Sequence, residues 1–169
     1  MEFIYKRAIL EDIEILTKTR IEVLRAANKL SDDIDMSEVE RQSYNYYQKA
    51  ICDGSHMAYL VFDGSCIVGT GGVSFFQVMP TYNNPSGYKA YIMNMYTNPM
   101  YRRKGIAYKV LDMLVGDIKN RGITSISLEA TDMGRMLYEK YGFTKMNNEM
   151  ELPCMPIAEN VENWANITI

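Results

Sequence analysis

A chain of 169 residues, with 47% hydrophobic and 23% charged residues, is long enough to bury the core of one soluble domain. Its formal net charge of −3 argues against a nucleic-acid or anionic-membrane partner, and no apolar run approaches the ~20 residues that cross a bilayer. The composition therefore predicts a single domain over residues 1–169 that binds neither nucleic acid nor membrane.

The cysteine and histidine content narrows the chemistry. Cys52, Cys66 and Cys154 are odd in number and lack the spacing of metal ligands, so we expect reduced thiols and no metal. The single histidine, His56, rules out mechanisms that need two. The N-terminus lacks the charge order of a signal peptide, and together with reduced thiols this predicts a cytoplasmic protein.

The first half of the chain is predicted to hold two helices and a β-hairpin. Alternating and helical periodicities predict a strand over 3–7, helices over 11–27 and 37–52, and strands over 57–62 and 67–75. Ser37-Glu38-Val39-Glu40 has the pattern of a helix N-terminal cap. Asp63-Gly64-Ser65 is typical of the tight turn that joins two strands into a hairpin.

The second half alternates strands with helices. After a surface loop over 78–88, the pattern predicts a strand over 89–97, a helix ending at Arg121-Gly122, a strand over 123–129, a helix over 133–141 and a strand over 143–152. The strand over 123–129 has helices on both sides, which favours parallel pairing in the middle of a sheet. Residues 153–169 form a tail without a clear pattern, and the whole is an α+β domain.

The stretch over 93–117 is the most informative part of the sequence. A buried strand breaks at Asn98-Pro99 and leads through a basic glycine turn, Arg102–Ala107, into an amphipathic helix. The first N–H groups of a helix have no partner within it, and they favour an anion together with the helix dipole and nearby cations. Gly105 allows close approach of the backbone to a ligand, which predicts a site for a phosphate-bearing cofactor.

Two segments resemble a known family. Arg102-Arg103-Lys104-Gly105-Ile106-Ala107 is similar to the Arg/Gln-x-x-Gly-x-Gly/Ala signature of the GCN5-related N-acetyltransferases (GNATs). Leu137-Tyr138-Glu139-Lys140-Tyr141-Gly142-Phe143 resembles their second signature, and the element order between Phe3 and Leu152 fits their fold. The resemblance implies a GNAT-type acyl-CoA N-acyltransferase fold, in which about four helices flank a mixed twisted sheet of six to seven strands.

The resemblance also implies acetyl-CoA as co-substrate. The backbone of Arg103–Tyr108 would hold its two phosphates, Arg102 and Lys104 would screen their charge, and the strand before the turn would pair with the pantetheine arm. Thr131 stands where many members place a cofactor-contacting asparagine, although Thr131 or Asp132 could merely cap the short helix. The predicted cofactor-binding residues are Met95, Tyr96, Thr97, Arg102, Arg103, Lys104, Gly105, Ile106, Ala107, Tyr108 and Thr131.

The resemblance implies direct acetyl transfer to an amine. Tyr138 is the predicted general acid for the departing CoA thiolate, as in family members with Leu-Tyr at this place. Glu129 is the predicted general base, provided that burial poises its carboxylate near neutral pH; Asn94 or Tyr96 could instead position the amine. No cysteine or serine lies in a nucleophile setting, which predicts a ternary complex.

The acceptor is expected to be a small-molecule or peptide amine, bound between the first two helices and the 78–88 loop. Five residues could line that site, namely Tyr44, Tyr47, Tyr82, Asn83 and Asn84, and Glu38 or Glu40 could attract a cationic amine. Many relatives pair as homodimers, a contact that the 153–169 tail could serve. Two alternatives are a catalytically silent acyl-CoA-binding module and, more weakly, a nucleotide-binding domain, for which the turn lacks the P-loop spacing.

Overall fold

This computed structural model describes residues 2–152, which form five strands and four α-helices. The predicted tail over 153–169 lies outside the described residues. Two single 3₁₀ turns, Leu10–Asp12 and Pro99–Tyr101, connect larger elements. The strands are β1 (Ile4–Arg7), β2 (His56–Asp63), β3 (Cys66–Gln77), β4 (Tyr88–Thr97) and β5 (Ser125–Leu128), and the helices are α1 (Ile13–Asn28), α2 (Ser37–Cys52), α3 (Ile106–Asn120) and α4 (Asp132–Tyr141).

The five strands form one mixed sheet in the order β1-β2-β3-β4-β5. The first four pair antiparallel, and β2 and β3 form the predicted hairpin across the Asp63–Cys66 turn. β5 pairs parallel to β4 in a short register from Lys89 opposite Ser125 to Ile92 opposite Leu128. The α+β fold with a mixed sheet and four helices is thus as predicted.

Helices cover both faces of the sheet. The α3 side chains Val110, Leu111 and Leu114 are fully buried in one core cluster with Val73 and Ile92 of the sheet. On the other face, residues of α1 and α2 pack with alternate residues of β2: Leu16, Tyr47, Ala58 and Leu60. Successive side chains of a strand point to opposite faces of the sheet, and helices cover both faces at β2. Side chains on both sides of β2 are therefore buried, which explains why its sequence is mostly apolar.

Small residues on β3 let α3 lie close to the sheet. A Cβ atom added to Gly69 would come within 2.9 Å of Ile106 Cγ2, and one added to Gly71 would come within 2.6 Å of Val110 Cγ1 and also meet the Met95 sulfur. These glycines therefore fix the height of the helix above β3 and β4.

Substitution of Gly71 by alanine is expected to lower the free energy of unfolding by about 1–3 kcal/mol, because the new methyl group overpacks the contact between β3 and α3. Urea denaturation measures the change. Gly116→Ala is the matched control: it adds the same methyl group inside α3 where nothing lies within 4 Å, and is expected to stabilise by about 0.5–1 kcal/mol. Equal stability of Gly71→Ala and the parent protein would contradict the packing account.

Four details of the sequence prediction were wrong. The predicted strand over 143–152 is absent, because the segment bends at Asn147-Asn148, two residues that favour turns. The described residues consequently form five strands and not six to seven, and β5 lies at the edge of their sheet and not in the middle. Ser37 does not cap α2, because it is the first helical residue and donates its N–H to the Asp35 carboxylate at 2.9 Å.

Candidate active site

A bulge in β4 opens the sheet. Thr70 lies opposite Tyr96 but Gly72 lies opposite Met93, so β4 gains one residue relative to β3 between these pairs. Asn94 absorbs the extra residue in a left-handed conformation with φ of 57°, and its side chain is only 9% exposed. Pairing with β5 has already ended at Ile92. Beyond that point, no strand of residues 2–152 pairs with the outer edge of β4, which carries Met95, Tyr96 and Thr97.

The glycine turn begins α3 with an open backbone. Arg103 (φ of 63°) and Gly105 (φ of 81°) are both left-handed, which curls the chain before the helix. Gly105 is the N-cap residue and offers no side-chain acceptor, so the N–H groups of the first helical turn have no capping partner. A Cβ atom at Gly105 would meet nothing within 4 Å. This cradle of backbone donors has room for an anion and fits a pyrophosphate.

The residues of the turn include exposed cations and one buried residue. Arg102 donates from Nε to the Thr97 carbonyl oxygen at 3.4 Å, which ties the turn to the end of β4. Lys104 is exposed, with Nζ 4.8 Å from the centre of the Tyr101 ring. Ile106 is buried in the core.

The next two residues of α3 lie beside the turn. Ala107 is half-buried, and the exposed Tyr108 ring packs 5.5 Å from the Tyr141 ring of α4. The structure therefore brings the predicted residues 95–97 and 102–108 together at one end of the sheet.

Tyr138 lies on the buried side of α4. Its side chain is 8% exposed and packs edge-on against Phe143, with ring centres 6.1 Å apart. It also lines a cavity of about 260 Å³ with Leu128 of β5 and Phe143. Burial raises the pKa of the Tyr138 phenol above its ordinary value of 10.0, so the hydroxyl keeps its proton throughout the neutral range.

Thr131 begins α4. Its Oγ1 accepts a hydrogen bond from the Gly134 N–H at 3.2 Å, which is the capping role that the sequence left open. Asp132, the first helical residue, lies 3.7 Å from the Arg135 guanidinium one turn later. A cofactor contact of Thr131 stays a prediction.

Glu129 directly follows β5 and is exposed, so it lacks the burial that the general-base role requires. It lies close enough to the Tyr91 phenol on β4 for its charge to act on that group. Burial, and then the negative charge of Glu129, raise the pKa of Tyr91 above 10.0. The contact places Glu129 beside the end of the paired part of β4, and its role as a base stays a prediction.

A polar cluster lies on the α1–α2 face of the sheet. Arg20 of α1 donates from Nη1 to Asn94 Oδ1 at 3.2 Å. Nearby, the Tyr46 hydroxyl lies 2.6 Å from Ser74 Oγ and 3.0 Å from His56 Nδ1, which links α2, β2 and β3. Sequence reasoning missed Arg20. The signal was its spacing, because Arg20 follows Leu16 by four residues in the apolar stripe of α1, where a charged residue is unusual.

Comparison with known proteins gives the family of the chain. The family model for acetyltransferases of the GNAT family matches residues 24–143. The chain belongs to the GNAT acetyltransferase family. No curated protein matches the sequence.

Solved structures agree with this assignment. A predicted acetyltransferase from Clostridium acetobutylicum, solved with acetyl-CoA, is 32% identical, with a TM-score of 0.82 over 89% of this chain and 96% of that one. A GCN5-related N-acetyltransferase from Ralstonia eutropha JMP134 is 23% identical, with a TM-score of 0.80 over 90% of this chain and 99% of that one. Glucosamine-6-phosphate N-acetyltransferase from Arabidopsis thaliana shares the fold at 15% identity, with a TM-score of 0.67 over 90% of this chain and 98% of that one.

The predicted family, fold and co-substrate are thereby confirmed, since GNAT enzymes take their acetyl group from acetyl-CoA. Among residues 2–152, no group of three or more His, Cys, Asp or Glu side chains is arranged to hold a metal ion. Within the same range, none of the GNAT protein's helices is both long and apolar enough to cross a bilayer.

The residues predicted to line the acceptor site mostly serve local structure in this GNAT protein. Tyr47 is a core residue against the His56 ring, and the Asn84 amide donates to the Tyr88 carbonyl oxygen within the loop. Glu38 accepts two hydrogen bonds from Arg41. Tyr82 is 97% exposed. Of these four, Tyr47 packs beside the polar cluster and lies within the electrostatic influence of Arg20, and a contact of any of them with an acceptor stays a prediction.

His56 makes the stability of the protein pH-dependent. The imidazole is 4% exposed, and burial, with a smaller contribution from the charge of Arg20, lowers its pKa from 6.5 to about 4. Its stabilising contribution is present above pH 6.5 and is lost as the pH falls toward 4, because the unfolded state binds the proton first. We expect a loss of up to about 3 kcal/mol across that window.

The His56 effect is isolated by comparison with His56→Gln, which keeps a hydrogen-bonding side chain but does not titrate. Urea denaturation at pH 7 and pH 4.5 is the measurement, since carboxylates titrate equally in both proteins. The variant is expected to lose less stability than the parent between the two pH values. Parallel losses would mean that His56 takes up its proton in the folded state.

Proposed function

We propose that this GNAT protein is an N-acetyltransferase that transfers the acetyl group directly from acetyl-CoA to a primary amine in a ternary complex. The observation that carries the proposal is the joint position of the unpaired β4 edge and the open N-terminus of α3. One offers backbone groups to an extended amide-containing arm, and the other offers N–H donors to phosphates.

The chain's own residues supply the binding groups. The backbone N–H groups from Arg103 to Tyr108 hold the pyrophosphate, with Arg102 and Lys104 adding positive charge at the surface. The backbone of Met95–Thr97 pairs with the pantetheine amides as an added strand. The bulge at Asn94 turns the strand so that this edge is not covered by β5 within the described residues.

The chemistry requires one acid and a neutral amine. Acetyl-CoA supplies an activated thioester; in the transfer a C–N bond forms and the C–S bond breaks. Tyr138 donates its proton to the departing thiolate, a role for which its buried, protonated hydroxyl is suited. The amine nitrogen also releases a proton, which Glu129 can take only through water because its carboxylate is exposed; Asn94 or Tyr96 orients that nitrogen.

Direct transfer is supported by the positions of the described cysteines. Cys52 lies at the end of α2 and Cys66 at the start of β3 beside the hairpin turn, and both are exposed. Neither lies at the β4 bulge, where a covalent acetyl intermediate would have to form.

The test is an acetyl-CoA turnover screen over a panel of primary amines, read by thiol release, with CoA-dependent thermal stabilisation measured in parallel. The expected result is stabilisation by CoA and turnover with a subset of amines. Stabilisation without turnover on any amine supports the rival function, a catalytically silent acyl-CoA-binding module. A protein whose unfolding temperature does not respond to CoA would overturn the proposal.

A further inference from the structure

We propose that the acceptor amine carries an oxyanion group, a carboxylate or a phosphate, and that Arg20 binds it. The inference rests on the proposed acetyl transfer and names the class of its acceptor. It starts from the position of Arg20, whose guanidinium is bonded to the residue that forms the β4 bulge.

The bulge places Arg20 where the acceptor must enter. β4 leaves β5 after Ile92, and in the proposed complex the acetyl donor's arm would lie along the strand from Met95 onward. The α3 face of this region is filled, because Met95 packs with Val110 of α3 against Gly71. An acceptor therefore approaches from the α1–α2 face, where the half-buried Arg20 contacts Asn94.

The charge of Arg20 is not neutralised within the described chain. The ion pairs of residues 2–152 join Lys6 to Asp12, Arg41 to Glu38 and Arg135 to Asp132, so Arg20 has no carboxylate within 4.0 Å in that range. Its hydrogen-bond partner, the Asn94 amide oxygen, is neutral. A half-buried guanidinium without a counter-ion is costly, and an anionic ligand would remove that cost.

The aromatic side chains around Arg20 are neutral. Tyr46, Tyr47 and His56 all lie within the electrostatic influence of Arg20, and none carries a negative charge at neutral pH. Burial, and then the charge of Arg20, hold the pKa of His56 near 4, so the imidazole stays neutral and adds no second cation. Two carboxylates act on this region without pairing to Arg20: Asp53, which acts on Tyr46 and accepts a hydrogen bond from the Ser55 N–H, and Glu22, on the same helix as Arg20, which acts on Tyr96.

A second polar group completes the acceptor site. The Tyr91 phenol, on the same face of β4 as Met93, lies within the electrostatic influence of the Glu129 carboxylate. Glu129 and Arg20 do not form an ion pair with each other. A carboxylate and a guanidinium that face the same strand without pairing suit a dipolar acceptor, whose amine lies toward Glu129 and whose oxyanion lies toward Arg20.

The experiment uses matched acceptors on the full-length protein. Each amino acid of a panel is compared with its amide, with the amine that lacks the carboxyl group, and with an aminoalkyl phosphate of similar length. We expect kcat/KM for oxyanion-bearing members to exceed that of the neutral members by at least tenfold, since a hydrogen-bonded charge contributes about 1.5–3 kcal/mol. The carboxylate and phosphate arms show which oxyanion is preferred.

Variants of Arg20 assign the effect. Arg20→Gln is expected to raise KM for the preferred oxyanion acceptor by about 10- to 100-fold with no change in KM for its neutral analogue. Arg20→Lys is expected to recover part of the affinity, because it keeps the positive charge but cannot form the bidentate hydrogen bonds of a guanidinium. Lys18→Gln is the control, since it removes a positive charge from the exposed side of α1.

The outcomes separate this inference from the proposed function. Turnover confined to neutral or polycationic amines, or none with any oxyanion-bearing amine, overturns the role of Arg20. An equal rise in KM for charged and neutral acceptors in Arg20→Gln also overturns it, because that result would mean that Arg20 only stabilises the conformation of the β4 bulge. CoA-dependent thermal stabilisation reports on the acetyl-CoA site in every case, and its absence in the parent protein would instead overturn acetyl transfer.

Discussion

Replacing Tyr138 with phenylalanine is expected to lower kcat by about 10²- to 10³-fold while leaving the affinity for acetyl-CoA unchanged. The substitution removes only the hydroxyl, and the ring keeps its edge-on contact with Phe143 and stays buried on the inner side of α4. Stability should therefore change little, and the loss reports on proton donation to the thiolate. Steady-state thiol release gives kcat, and the thermal shift with CoA gives binding.

A tyrosine in the same helix provides the control. The Tyr141 hydroxyl donates a hydrogen bond to the Asp112 carboxylate at 2.9 Å. Tyr141→Phe therefore removes a hydroxyl and a hydrogen bond but leaves Tyr138, the proposed acid, unchanged. Its kcat is expected to stay within about twofold, because the Tyr141 hydroxyl contacts the Asp112 carboxylate and takes no part in the proposed proton transfer. If both variants keep full turnover, the proton for the thiolate comes from another group.

The local part of the fold could be predicted from the sequence. The helix after the glycine turn carries its own start and stop signals, Gly105 with φ of 81° and Gly122 with φ of 72°, and the structure has the helix between them. The β2–β3 hairpin is equally local, because Asp63 and Gly64 determine the turn. The proposed cofactor half of the site rests on such short-range signals, so the sequence alone was enough to predict it.

The acceptor half depends on contacts between distant residues. At the Asn94 bulge, β4 has one residue more than the part of β3 that lies opposite. This difference depends on how the two strands are paired, and the sequence of one strand does not determine it. Arg20 and Asn94 are separated by 74 positions and meet only after α1 has packed on the sheet. No periodicity in either segment contains that contact, so the Arg20 site could be found only from the structure.

The prediction that the strand over 123–129 lies in the middle of the sheet was wrong for a related reason. The strand over 123–129 was placed in the middle because helices precede and follow it, but its position depends on what pairs with its second side. Within residues 2–152 that side is not paired, and the segment after α4 bends at Asn147-Asn148. Apolar content alone did not distinguish a strand from this irregular segment, in which Met150 is almost fully exposed.

Substitution of Gly105 by alanine is expected to raise KM for acetyl-CoA at least about tenfold, the equivalent of 1.4 kcal/mol, and to lower stability by about 1 kcal/mol. The loss of stability comes from backbone strain, since alanine disfavours the φ of 81° while its Cβ would meet no protein atom within 4 Å. The loss of affinity has a separate cause, because the methyl group projects from the open cradle of N–H donors.

Gly64→Ala separates these two effects. Gly64 is also left-handed, with φ of 58°, and a Cβ there also meets nothing within 4 Å, but it lies in the β2–β3 turn. Both variants are therefore expected to lose about the same stability in urea denaturation, while only Gly105→Ala loses affinity for acetyl-CoA. Equal KM values for the two variants would mean that strain, and not the space above Gly105, governs binding. A selective loss would place the pyrophosphate against the first turn of α3, because that turn is what the added methyl group covers.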